Sequence, residues 1–412
     1  MTTSLRARAG LTGALALAVV GLYGVAAAPA HAATPDGSTA AHFLTAEMAA
    51  SGDHFVSSGY PDYGLTIDAV LGLDAAQTGQ TGAKAAAAYV TKNAEAYNTG
   101  GDSAELYAGS TAKLLVLAQA QGLPTDGYLA QLKSLEQSSG QFQDKSQYGD
   151  YSNTIGQSLG IIGLTRAGKP DATAVDFLVK QQCNDGGFRM TFSGTCTGDT
   201  DATSLAVQAL SAAGGHDAEI AKAVSFIAGQ QQSNGGVVEP AAQAAPNTNS
   251  TGLAAVAFTI AGKTAEAAKA KTFVQSLQFG CTLPTALRGG IAYDQKSFDT
   301  IIAEGSKATV SDKEHRSTAQ AVLAFNPQPY LKISAGGAAT APALSCTTST
   351  PSSSATSTGT PTATSTTTGP AIITDGSESG GGNTGVLVAG AAVIGGAALA
   401  GSGLRRRLRS QR

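Results

Sequence analysis

The sequence predicts an all-α protein built from stacked helical pairs, on three observations. Apolar helices recur at a nearly fixed interval, a Gln-x-x-x-Gly spacing marks the end of the helix before each, and short polar residues precede each apolar run. Anchored on Leu73, Leu117, Leu164, Leu210, Phe258 and Phe325, the intervals are 44, 47, 46, 48 and 67 residues, the last enlarged by a loop around 282–308. A pair of helices this short cannot bury its apolar face alone, so six such pairs must stack, as an open solenoid or a closed ring. About twelve helices are expected over 40–330 with negligible sheet, the buried ones near 66–74, 110–121, 154–167, 202–213, 250–261 and 316–325.

The unit is clearest at Phe177–Gly214. Val175, Leu178 and Gln182 share one helical face by their i, i+3, i+7 spacing. Asp185-Gly186-Gly187 ends that helix, because glycine enters left-handed backbone without strain. Asp199 and Asp201 offer side-chain acceptors where the next helix begins, and Asp201 is expected to cap it. Ser204–Ala213 is then apolar almost all round, the pattern of a helix with no solvent face. The unit recurs at Phe226-Ile227 through Gly235-Gly236-Val237 and at Phe273-Val274 through Gly289-Gly290-Ile291. A degenerate copy ends at Gln137, Gly140 and Phe142.

Phe177-Leu178-x-x-x-Gln182-x-x-x-Gly186-x-Phe188 and Phe226-Ile227-x-x-x-Gln231-x-x-x-Gly235-x-Val237 resemble the QW motif of the prenyltransferase and squalene-cyclase repeat. Phe188 and Val237 stand in the tryptophan position, and the chain has no tryptophan anywhere. The resemblance covers roughly residues 60–326. It implies an (α/α)6 toroid, with parallel inner helices ringed by outer ones.

Beyond the repeats the chain divides sharply. Arg6 and Arg8 precede an apolar run at Leu11–Ala28, and Ala30-His31-Ala32 fits a signal-peptidase site, so residues 1–32 read as a secretory leader. Residues 33–346 form the toroid domain. Residues 347–385, rich in Ser, Thr, Pro and Gly, cannot bury a core and read as an extended stalk. Residues 386–404 carry no charge over a length that spans a bilayer, and the arginines of 405–412 would stop transfer on the cytoplasmic side. The expected display is at the cell surface, membrane-anchored, with a wall-sorting signal as the alternative. Export permits disulfides, and of the three pairings of four cysteines Cys183–Cys196 and Cys281–Cys346 are expected. Seven of the 26 basic residues lie in the leader and tail, leaving 19 against 29 acidic ones, a balance that excludes nucleic acid as a partner.

A parallel inner ring would gather the polar residues before its helices at one mouth, where helix N-termini present N–H groups. They are Asp62 and Tyr63, Asp102 and Ser103, Asp150, Tyr151 and Asn153, Asp199 and Asp201, Asn247 and Asn249, and His315 with Arg316. The bland reading of each is a helix cap. Asp199-Thr200-Asp201-Ala202 resembles the DxDD motif of squalene–hopene-type cyclases, which implies Asp201 as a proton donor, although Ala202 removes one carboxylate. His315 resembles in placement the zinc histidine of protein prenyltransferases, but no Asp-x-Cys pair accompanies it, and no metal or cofactor is expected. The cobalamin carriers share the toroid and export, yet here a stalk follows where their second domain would stand. The leading expectation is a monomeric, non-catalytic module that binds a small molecule or a cell-surface component at the mouth. The alternative is an extracytoplasmic enzyme using Asp199 and Asp201.

Overall fold

The computed structural model describes residues 34–240 and 245–346. Among these residues there are fourteen α-helices, and the only paired strands are the two-residue Val56–Ser57 and Tyr60–Pro61. Six helices are inner: α2 (Tyr63–Ala76), α5 (Ala108–Gln121), α7 (Thr154–Arg166), α9 (Thr200–Ala213), α11 (Thr248–Ile260) and α14 (Asp312–Ala321), the last tightening into a 3-10 turn at Val322–Phe325. Six are outer: α1 (Gly37–Ala50), α3 (Gln80–Lys92), α6 (Asp126–Ser134), α8 (Ala172–Val179), α10 (Asp217–Gln230) and α12 (Thr264–Ser276). The short α4 (Ala94–Asn98) and α13 (Gln295–Glu304) fill connections, which accounts for two helices more than the periodicity predicts.

Each inner helix packs on the next, and α14 returns to α2, so the ring closes. An outer helix separates each inner helix from its successor, so all six inner helices run the same way. This is the (α/α)6 toroid. The inner helices are buried along nearly their whole length, as their lack of a polar face requires. The start of α7 falls where expected, and those of the other five lie two to four residues ahead. The largest difference is α14, which begins at Asp312 because Ser311 and Glu314 form a capping box.

The repeated Gln-x-x-x-Gly spacing has a physical cause. Gln182 Nε2 donates to the Gly186 carbonyl at 2.9 Å and to the Glu219 carbonyl, in the first turn of the following outer helix, at 2.8 Å. Gln231 joins the Gly235 and Glu266 carbonyls in the same way, each at 3.0 Å. Gln278 joins the Gly289 and Asp36 carbonyls, both at 2.8 Å. Asp36 caps α1, so the same device that links successive repeats also ties the last one to the start of the domain. Gly235 adopts φ +91°, and a Cβ there would lie 2.3 Å from the Lys269 carbonyl oxygen of the next outer helix. Only glycine admits both the conformation and the approach. In the degenerate copy the inner helix supplies the glutamine instead. Gln157 Nε2 reaches the Gly140 and Ala174 carbonyls, and its Oε1 accepts from Phe142 N at 2.9 Å.

Cys183 pairs with Cys196 and Cys281 with Cys346. The second bond fastens the segment 326–346, which crosses the C-terminal ends of the inner helices. Asn326 Nδ2 donates to the Ala75 carbonyl at 2.7 Å, Ala335 N to the Ala120 carbonyl at 2.8 Å, and Arg166 to the Tyr330 and Ile333 carbonyls. Tyr330 is buried, with its backbone N–H on Gln208 Oε1 of α9 at 2.9 Å. The far end of the ring is thereby closed. No helix among the described residues is long and apolar enough to cross a membrane. The leader, stalk, membrane segment and basic tail read from the sequence lie outside the described residues.

Candidate functional site

One residue in each inner helix fixes which way the others face. Thr66, Thr203, Thr251 and Thr318 accept the backbone N–H of Phe55, Phe188, Val237 and Ile291 in the loops between the two helical layers, at 2.8–3.0 Å. Gln157 does so in α7, and Thr111 holds the matching place in α5. These side chains point outward, so residues two before and two after them point into the lumen. The upper layer is Gly64, Gly109, Ile155, Asp201, Asn249 and Arg316, and the layer below is Asp68, Lys113, Leu159, Leu205, Leu253 and Gln320.

Half of this lumen is a connected polar arc. Lys113 on α5 pairs with Asp68 on α2 at 2.7 Å, both buried, and the ammonium has no further partner among the described residues. Burial holds the Asp68 carboxyl above its ordinary pKa and Lys113 below its own, while their mutual attraction opposes both shifts. Gln320 on α14 also donates to Asp68. Its Oε1 accepts from Asn249 Nδ2 on α11 at 2.9 Å. The donor direction therefore runs one way along the arc, from Asn249 to Asp68, and it leaves Asn249 Oδ1 buried without a partner. At the rim Arg316 Nη2 meets Asp62 Oδ2 at 2.5 Å, and its Nε meets Asp312 at 2.8 Å. The arc of α7 and α9 opposite is apolar in the lower layer.

Asp201 departs from its expected role. Asp199 is the cap of α9, its Oδ1 accepting Ala202 N at 2.8 Å, whereas Asp201 lies one position inside the first turn and caps nothing. It is 9% exposed, and its Oδ1 has no partner among the described residues. Burial, then the charges of Asp199 and Glu239, push its pKa up to about 8 against a bond from Ser250, which favours the neutral carboxyl. Burial also raises Asp199. Tyr293 is raised to about 12, by burial and then by Asp201.

The other residues singled out in the sequence divide between capping and loop building. Asp62, Asn153 and Asn247 cap α2, α7 and α11 through Leu65 N, Gly156 N and Ser250 N. Asp150 braces its loop, accepting from Asp144 N, Ser152 N and Gln141. Tyr151 is exposed on that loop, and Tyr63 turns outward against Tyr89 and Tyr97. His315 also turns outward: its Nε2 meets Glu47 of α1 at 3.0 Å, and its ring lies 4.6 Å from that of Phe55. It takes no part in the mouth, and no group of three metal-ligating side chains occurs among the described residues. Sequence reasoning missed Asp144, which caps α5 through Ala108 N from 36 residues away. It also missed the arc of Asp68, Lys113 and Gln320. The signal for the arc was present, as charged residues inside otherwise apolar helices.

No protein-family model matches the chain, and no curated protein sequence does. Solved structures resemble it in fold. The type II terpene cyclase MstE from Scytonema, without ligand, is 15% identical over 71% of this chain and 97% of its own, at a TM-score of 0.49. A protein from Actinoplanes is 16% identical over 70% and 98%, at 0.48. Haptocorrin in complex with Cbi is 14% identical over 72% and 68%, at 0.45. Likeness at this level bears on neither activity nor ligand, and the toroid rests on the closed ring of this chain's own helices.

Proposed function

We propose that the domain is a small-molecule-binding toroid displayed outside the cell, with its site in the lumen mouth between α9, α11 and α14. The observation that carries this reading is the pair of buried, unpartnered oxygens, Asp201 Oδ1 and Asn249 Oδ1, at the same level of neighbouring inner helices. A buried polar oxygen without a partner costs on the order of 1–3 kcal/mol. A ligand that supplies the missing partners recovers that free energy. The two disulfides suit an oxidising compartment, which supports export. Titrating the full chain with candidate ligands while following thermal unfolding tests the site. Ligands should raise the midpoint for the native chain and lose most of that effect on Asn249→Leu; equal stabilisation of both would place the site elsewhere.

A second reading has Asp201 as a general acid, favoured by its raised pKa beside the cap Asp199. The lumen weighs against alkene protonation, because neither layer contributes an aromatic side chain to stabilise a carbocation and the Tyr293 ring near Asp201 already faces the Lys313 ammonium. Under this reading Asp201→Asn abolishes product formation from a linear isoprenoid, followed by mass spectrometry. Under the binding reading no product forms with either chain.

A further inference from the structure

Two of the groups around Asp201 are carboxylates, Ser250 bonds to it from α11, and the Arg316 guanidinium of the same layer is held by Asp62 and Asp312. Asp199 caps the same helix, Glu239 in the loop between α10 and α11 accepts from Thr200 N at 2.6 Å, and Ser250 faces Asp201 from α11. Tyr293 lies close enough for Asp201 to act on it electrostatically. Its ring already attracts a cation, since the Lys313 ammonium, anchored on Ser297, stands 5.5 Å from the ring centroid. Independently of these acids, the Asn249 amide is oriented by the polar arc. Its nitrogen is committed to Gln320 and Arg316 O on α14, so the oxygen is the end that remains for a ligand. One step deeper on the same two helices the lumen side chains are Leu205 and Leu253, both buried.

Resting on the binding reading above, we propose that this mouth takes a primary alkylammonium ion, its N–H groups donating to Asp201 and Asn249 and its chain lying on Leu205 and Leu253. A primary ammonium has three donors and one positive charge, which matches the unpartnered oxygens of Asp201 and Asn249 with the Asp199 and Glu239 carboxylates beside them. An alcohol would bring one donor and no charge. A quaternary ammonium would bring charge with no donor. With its pKa pushed up to about 8, Asp201 gives up its proton to solvent as the bound cation pairs with its carboxylate. Charge and atoms balance in that exchange, and it makes binding proton-linked.

The test is calorimetric titration of the full chain with n-hexylamine, 1-hexanol and hexyltrimethylammonium. Hexylamine should bind at least tenfold more tightly than either of the others. At pH 7 its heat should vary with the ionisation enthalpy of the buffer, reporting release of close to one proton. Its affinity should rise about tenfold per pH unit from pH 6 to 8 and level off above. Asp201→Asn should weaken binding and remove both the proton release and the pH dependence. Asn249→Leu should weaken binding and keep both, so a folding defect in one variant leaves the other to decide. Hexanol binding as tightly as hexylamine, amine binding without proton release, or no amine binding at millimolar concentration would each overturn the proposal. A neutral ligand that binds in an Asn249-dependent manner would in that event leave the mouth as the site and remove only the amine.

Discussion

Asp201 is a carboxylic acid placed where a helix offers it no structural work, and its stability cost is open to measurement. Its folded pKa of about 8 lies above the value near 3.9 of an unfolded aspartate. Between those values the folded state holds a proton that the unfolded state has lost, so the contribution is greatest below pH 4 and is lost progressively as the pH rises to 8. Asp201→Asn removes this dependence without changing shape. The variant should be more stable than the native chain by up to roughly 4 kcal/mol at pH 7 and equal to it at pH 4, by urea denaturation at both. Asp199→Ala acts differently. It removes the cap on Ala202 N and should destabilise by about 1 kcal/mol, in the direction opposite to Asp201→Asn.

Between one helical pair and the next, the stitch rather than the apolar contact is the repeated invention. In the fifth pair Thr251 Oγ1 accepts Val237 N at 2.8 Å and donates to the Asn247 carbonyl at 2.6 Å. Thr251→Val keeps the volume but strands a buried N–H, and should cost about 1–3 kcal/mol in denaturation experiments. Gln231→Ala strands the Gly235 and Glu266 carbonyls and should cost about as much. If the two changes instead fall within roughly 0.5 kcal/mol of the native chain, the stitches are incidental to the packing.

The closed ring depends on its two chain ends. Gln278 binds Asp36 at the start of the domain, and Cys281–Cys346 holds the segment that seals the far end over Tyr330. That disulfide spans 65 residues, and chain-entropy reasoning gives it about 4 kcal/mol. The Cys281→Ser, Cys346→Ser double variant should lose up to about that much stability. Limited proteolysis should then cut first within 326–346, whereas cleavage unchanged from the native chain would show that hydrogen bonds alone hold the seal.

The sequence by itself determined the helical pairs, their period and their caps, because those follow from contacts within a few residues. Leu73 through Phe325 mark the inner helices, Gln182 and Gln231 mark the links, and Asn153, Asp199 and Asn247 stand at helix starts as local hydrogen bonding demands. Four cysteines left three pairings, and the expected one agrees with the structure. Ring closure could not be read from the period, since an open stack and a closed ring repeat alike. Only tertiary structure decided it, when Gln278 reached Asp36 across 242 residues. The same holds for the lumen. Whether Asp201 caps a helix or lies neutral between two others depends on Ser250, Glu239 and Tyr293, groups brought near it only by folding. The direction of the Asn249 amide likewise depends on Gln320 and, through it, on Asp68 and Lys113. Desolvation and hydrogen-bond direction are properties of an assembled surround, and no local spacing encodes them.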